Sequence, residues 1–159
     1  MNARPMTSAL TSMSLLAAWM GAAIFVAAVI APAAFAVLPT RALAGAIVGR
    51  ALPVLFTLGI LFGATVAFMN RSMGGGRSVT SGASVLAIAS AMAVLVTIRV
   101  RTTLAATGGP MDALDHADPR RVAFGRMHGL SVLLMGIGLL AACVAVEGIA
   151  RHLNARSAV

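Results

Sequence analysis

The run Phe124-Gly125-Arg126-Met127-His128-Gly129-Leu130-Ser131 carries the densest set of chemically able side chains in the sequence. On a helix, Arg121, Phe124, His128, Ser131 and Met135 step by three, four, three and four, so they share one face. That face offers a cation, an imidazole and a hydroxyl beside an uncharged stretch. Two readings follow. In the first, His128 passes on a proton or hydrogen-bonds a ligand, and Arg50, Arg121, Phe124, Arg126 and Ser131 complete a small polar site. In the second, His128 donates to a carbonyl or acidic group on a neighbouring helix and locks the packing.

Cofactor chemistry finds little support in the sequence. Bis-histidine haem ligation needs two imidazoles facing each other at similar depth. The three histidines are His116 in a polar segment, His128, and His152, which lies about 36 Å further along the same helix at 1.5 Å per residue. The ten methionines could suit Cu(I), but they are scattered and read as packing residues. Asp112, Asp115 and Asp118 sit at helical spacing and make only a sparse oxygen set for a hard cation. Cys143, the sole cysteine, excludes an internal disulfide and reads as a packing residue. No nucleophile–base pair, Gly-rich phosphate loop or paired intramembrane carboxylate occurs. The expectation is therefore no metal, no cofactor and no catalysis.

The elements that must position these residues are set by four uncharged windows: 5–40, 51–70, 78–98 and 127–146. Each is close to the length of about 20 residues that a helix needs to cross a hydrocarbon core of about 30 Å. Hydrophobic residues make up 60 % of the chain and charged ones 10 %, far from the balance of a soluble domain. The net charge of +8 comes from twelve arginines, all outside the windows, where they meet anionic headgroups rather than nucleic acid. Arg99, Arg101 and Arg120 are assigned to headgroup contact. Trp19, near the start of the first helix, is assigned there too, because an indole is apolar in body and polar at its N–H.

The N-terminal run is longer than the apolar core of a cleaved signal peptide and reads as a transmembrane helix. Pro32 is expected to bend or end it. Residues 41–50 are expected to form an interfacial segment or the first turns of the second helix. Gly74–Gly76 predict a flexible turn, and Gly109-Pro110 another. Asp118-Pro119 has the pattern of an N-cap followed by proline at the first helical position. Arg120 and Arg121 then fall in a first turn whose dipole disfavours cations, and lipid phosphate or a nearby aspartate is expected to compensate. Glu147 and Arg151 are spaced for a helical ion pair. Gly45/Gly49, Gly59/Gly63 and Ala83/Ala87/Ala91 allow close helix approach, chiefly within the bundle. Seven arginines on the first and third connections, against five at the termini and second connection, place both termini outside the cytoplasm.

Trp19-x-Gly21, Ala31-Pro32-Ala33-Ala34-Phe35, Ala44-Gly45-x-x-Val48-Gly49-Arg50-x-x-Pro53 and Phe124-Gly125-Arg126-x-His128-Gly129-x-Ser131 occur in this order and spacing. The pattern, spanning nearly the whole chain, resembles the transmembrane-protein-205-like family. Its bacterial members are a domain of unknown function. The resemblance implies a small four-span membrane protein and attaches no reaction or ligand to it. Eukaryotic relatives often carry Asn-Leu soon after the motif serine, where this chain has Val132-Leu133.

The sequence thus predicts an all-α, integral membrane four-helix bundle, one domain over 1–159. Its helices lie near 14–38, 51–69, 79–98 and 119–153, with a polar connection at 102–118. The expected function is a non-catalytic accessory or structural subunit of a larger assembly in the bacterial inner membrane. Its partners are membrane lipids and the helices of other membrane subunits or of a second copy. The alternative is a small transporter or channel-like protein with a polar site around His128. A haem or redox carrier is the third reading.

Overall fold

The computed structural model describes residues 3–72, 76–107 and 111–157. The glycine-rich turn and the Gly109-Pro110 turn predicted from the sequence fall wholly or largely outside these residues. The chain is an all-α, four-helix membrane bundle. Its helices are α1 (Ala3–Phe25), α2 (Ala31–Val37), α3 (Arg41–Ser72), α4 (Arg77–Thr107) and α5 (Pro119–Ser157). A π-turn over Val26–Ile30 joins α1 to α2 in one rod, and a 3₁₀ turn covers Met111–Ala113. Among the described residues, four stretches are long and apolar enough to cross a membrane: Met6–Val37, Arg41–Ser72, Arg77–Thr107 and Pro119–Ala155.

Each boundary has a local cause. Pro32 neither ends the first rod nor sharply breaks it, contrary to one expectation. The helix widens just before it, and the amide of Ala31 reaches back five residues to the carbonyl of Val26. Widening by one residue relieves the clash and the missing donor that proline brings to an α-helix. Pro39 does end the rod: Leu38 before it turns extended, at φ −79° and ψ 143°, the region a pre-proline residue prefers. Thr40 then caps α3, its Oγ1 accepting from the Leu43 amide at 3.2 Å. Residues 41–50 are therefore the first turns of α3, not a separate interfacial segment.

Neighbouring helices run antiparallel, and glycine sets how closely they pass. A Cβ at Gly63 of α3 would lie 2.7 Å from the Ala83 carbonyl oxygen and 2.9 Å from the Ala87 amide of α4. One at Gly82 of α4 would lie 2.6 Å from the Ala141 oxygen of α5. Backbone meets backbone at both crossings, the contact on which helix association in lipid depends. α4 is thus flanked by α3 and α5, and the α1–α2 rod closes the bundle against α3 and α5.

Trp19 holds the rod in place. It is 1 % exposed, and Leu16 and Ala23 beside it on α1 are fully buried. Its Nε1 donates to the Leu55 carbonyl at 2.9 Å. The indole crosses α3 over Gly59, where a Cβ would lie 2.7 Å from Nε1 and collide with the Ser90 hydroxyl of α4. At its other end, Cη2 would be 3.0 Å from a Cβ on Gly138 of α5. One side chain therefore packs against both α3 and α5, and it borders Gly59 together with Ser90 of α4. The headgroup contact assigned to Trp19 is corrected: the indole N–H finds its acceptor inside the bundle because Gly59 leaves the carbonyl before it uncovered.

Candidate functional site

The end of the bundle formed by residues 38–41, the last turns of α4 and the start of α5 gathers every site residue named from the sequence except Trp19. Asp118 caps α5: its Oδ1 accepts from the Arg120 amide at 2.8 Å, and Pro119 occupies the first helical position. Arg120 folds back on the same carboxylate, with Nη2 2.8 Å from Oδ2. The Arg120 side chain and amide together hold the Asp118 carboxyl at about 2, below its usual 3.8. Arg120, assigned to headgroups, thus has its counter-ion within the chain.

Arg121 is tied inward as well. Its Nη1 donates to the Leu114 carbonyl at 2.7 Å, and its Nη2 lies 3.3 Å from Nε2 of His116. A guanidinium can only donate, so His116 accepts. These bonds fasten the polar connection onto the start of α5. Arg121 and His116 therefore act as its anchors.

The face drawn from the sequence divides. Ser131 is buried, Arg121, Phe124 and Met135 are half-buried, and His128 is exposed at the edge. The inward line of α5 runs Met127, Ser131, Leu134 and Gly138. The side chains of His128, Arg126, Arg50 and Arg99 are exposed and make no hydrogen bond or ion pair among the described residues. His128 does not lock the bundle, which corrects the packing reading of that residue. Cys143 is likewise exposed rather than packed. No three His, Cys, Asp or Glu side chains come together among the described residues, and His152 packs at the opposite end, against Gly76.

One contact was not legible as a site. Arg101 Nη2 donates at 3.1 Å to the carbonyl of Gly49, the acceptor that Pro53, four residues on, cannot reach with an amide. Pro53 in the sequence signals that a carbonyl is orphaned; it does not say what fills it. The segment Gly49-Arg50-x-x-Pro53 lies wholly within residues 14–109, over which a family model matches. The chain belongs to the family described as a domain of unknown function, DUF4149. Neither a curated protein nor a solved structure matches it. The match to DUF4149 covers α3 and α4 and ends before α5, so His128 and its neighbours lie beyond the matched residues.

The glycines of this DUF4149 chain fall into two classes. Gly59, Gly63, Gly82, Gly138 and Gly148 each press on a neighbouring helix. Gly45 and Gly49 on α3, and Gly125, Gly129 and Gly136 on α5, have open space where a side chain would stand. Gly125 and Gly129 bracket Arg126 and His128.

Proposed function

We propose that the protein is a non-catalytic accessory or structural subunit of a larger assembly in the bacterial inner membrane, with both termini outside the cytoplasm. It would belong to the transmembrane-protein-205-like group that its motifs resemble. The observation that carries the reading is the second class of glycines. Inside the bundle, glycine lets a neighbouring helix come close, backbone to backbone at Gly63 and Gly82 and against side chains at Gly59, Gly138 and Gly148. Gly45/Gly49 and Gly125/Gly129 repeat that four-residue spacing, and no atom lies within 4 Å of where a Cβ would stand on any of them. His128 and Arg126 stand on the α5 face as exposed polar groups that a partner helix would satisfy. A polar group gains most from a partner where water is scarce.

Native mass spectrometry of the tagged protein, extracted from its own membranes in mild detergent, tests this. Stoichiometric companion subunits are expected, and Gly129→Leu should release them while leaving the bundle folded. A bare monomer from native membranes would overturn the proposal. A small molecule retained by the wild type and lost in His128→Ala would move the function to transport.

A further inference from the structure

At the opposite end of the bundle, the last turn of α3 and the first turns of α4 border a groove of about 560 Å³. Its lining is Arg71, Arg77, Thr80, Ser81, Ser84 and Val85. No carboxylate lines it. Glu147, the sole acidic residue among the described ones at this end, is engaged by Arg151 at 2.9 Å. Arg71 and Arg77 have no hydrogen-bond or ion-pair partner among the described residues. The walls are held by Asn70, whose Nδ2 donates to the Gly76 carbonyl at 2.9 Å and to Thr80 Oγ1 at 2.8 Å. These two hydrogen bonds of one amide tie the end of α3 to the start of α4, the two ends that carry the arginines.

The lining is graded. Two guanidiniums stand at the ends of the spans, at headgroup depth. Thr80, Ser81 and Ser84 follow one to two turns down α4. Val85 begins the exposed apolar face that continues through Ile88 and Met92. Arg77 to Val85 is about 12 Å along the helix. Cation, hydroxyl and hydrocarbon in that order match the phosphate, ester and acyl layers of one phospholipid. Arg suits the phosphate because its planar fork donates to two oxygens at once. We infer that this groove is a binding site for the phosphodiester headgroup of an anionic phospholipid, with an acyl chain lying along Val85, Ile88 and Met92. The inference is independent of the accessory-subunit proposal, which concerns other faces.

The test uses the full chain in vesicles of phosphatidylcholine mixed with phosphatidylglycerol, extracted mildly and weighed by native mass spectrometry. Wild type should retain phosphatidylglycerol in preference to phosphatidylcholine. R71Q/R77Q should lower that retention roughly thirtyfold, from the loss of two cations near the surface. R41Q, which removes an arginine at the other end, should leave it unchanged. An equal loss in R41Q would show diffuse attraction and overturn the site. Displacement of the lipid by inorganic phosphate would assign the cations to a free anion and overturn the lipid assignment. Trp19 fluorescence reports folding throughout. If R71Q/R77Q does not fold, Ser84→Met decides alone: it keeps both arginines and fills the groove, and undiminished retention would sink the proposal.

Discussion

The Arg101 guanidinium donates to the Gly49 carbonyl across the α3–α4 interface, at 3.1 Å, and thereby replaces the amide that Pro53 lacks. The two residues are 52 apart in sequence. Pro53 can therefore sit inside a membrane helix of 32 residues without leaving its acceptor bare.

The pair should behave as a thermodynamic unit. Arg101→Ala alone is expected to cost about 1 kcal/mol in reversible unfolding, the scale of a single hydrogen bond to a charged donor moderated by exposure. With Pro53→Ala already present, the amide returns and Arg101→Ala should cost little. A double-mutant cycle measures the difference. Additive losses would show that Arg101 acts elsewhere.

Gly59 is the position on which the seat of Trp19 depends. Gly59→Val should force the indole off the Leu55 carbonyl and push on Ser90, costing about 1–3 kcal/mol as an overpacked core does. Since Trp19 is the only tryptophan, its fluorescence should shift to longer wavelength in step with the loss. An unshifted spectrum would contradict the placement of Trp19 between the helices.

His128→Ala should leave stability within about 0.5 kcal/mol, as exposed side chains without partners do. Ser131→Leu, some 60° further round the helix and buried, should destabilise the bundle clearly. Thermal unfolding of the two variants compares them directly. A large loss in His128→Ala would restore the packing reading of that residue.

Asp118 gives the acid response a definite window. Its carboxyl is held at about 2 against a usual 3.8, so the folded state favours the charged form. That contribution is complete above the usual value and is lost as pH falls through about 2. A carboxyl carbon NMR titration of Asp118 should show its midpoint near 2, and Asp118→Asn should remove the corresponding step in α5 helicity. A midpoint at the ordinary value would mean that Arg120 does not hold the carboxylate.

Much of the architecture was legible in the residue order, because its causes are local. Uncharged runs of bilayer length must be helices in lipid, since no other open structure satisfies their backbone. Asp118-Pro119 wrote the start of α5, Pro39 wrote the end of the first rod, and the Glu147–Arg151 spacing wrote an ion pair. Gly59/Gly63 and Ala83/Ala87 were readable as close-approach faces, and Gly63 meets Ala83 and Ala87. What the order of residues could not assign was direction around a helix axis and the identity of distant partners. Trp19 looks the same in a sequence whether its indole meets headgroups or the Leu55 carbonyl. Gly49 and Gly63 are equally small, yet one faces open space and the other Ala83. His128 shares a nominal face with Ser131, but a turn of some 60° between them puts one outside and one inside. These outcomes depend on which helix lies alongside, a contact that only the assembled bundle decides.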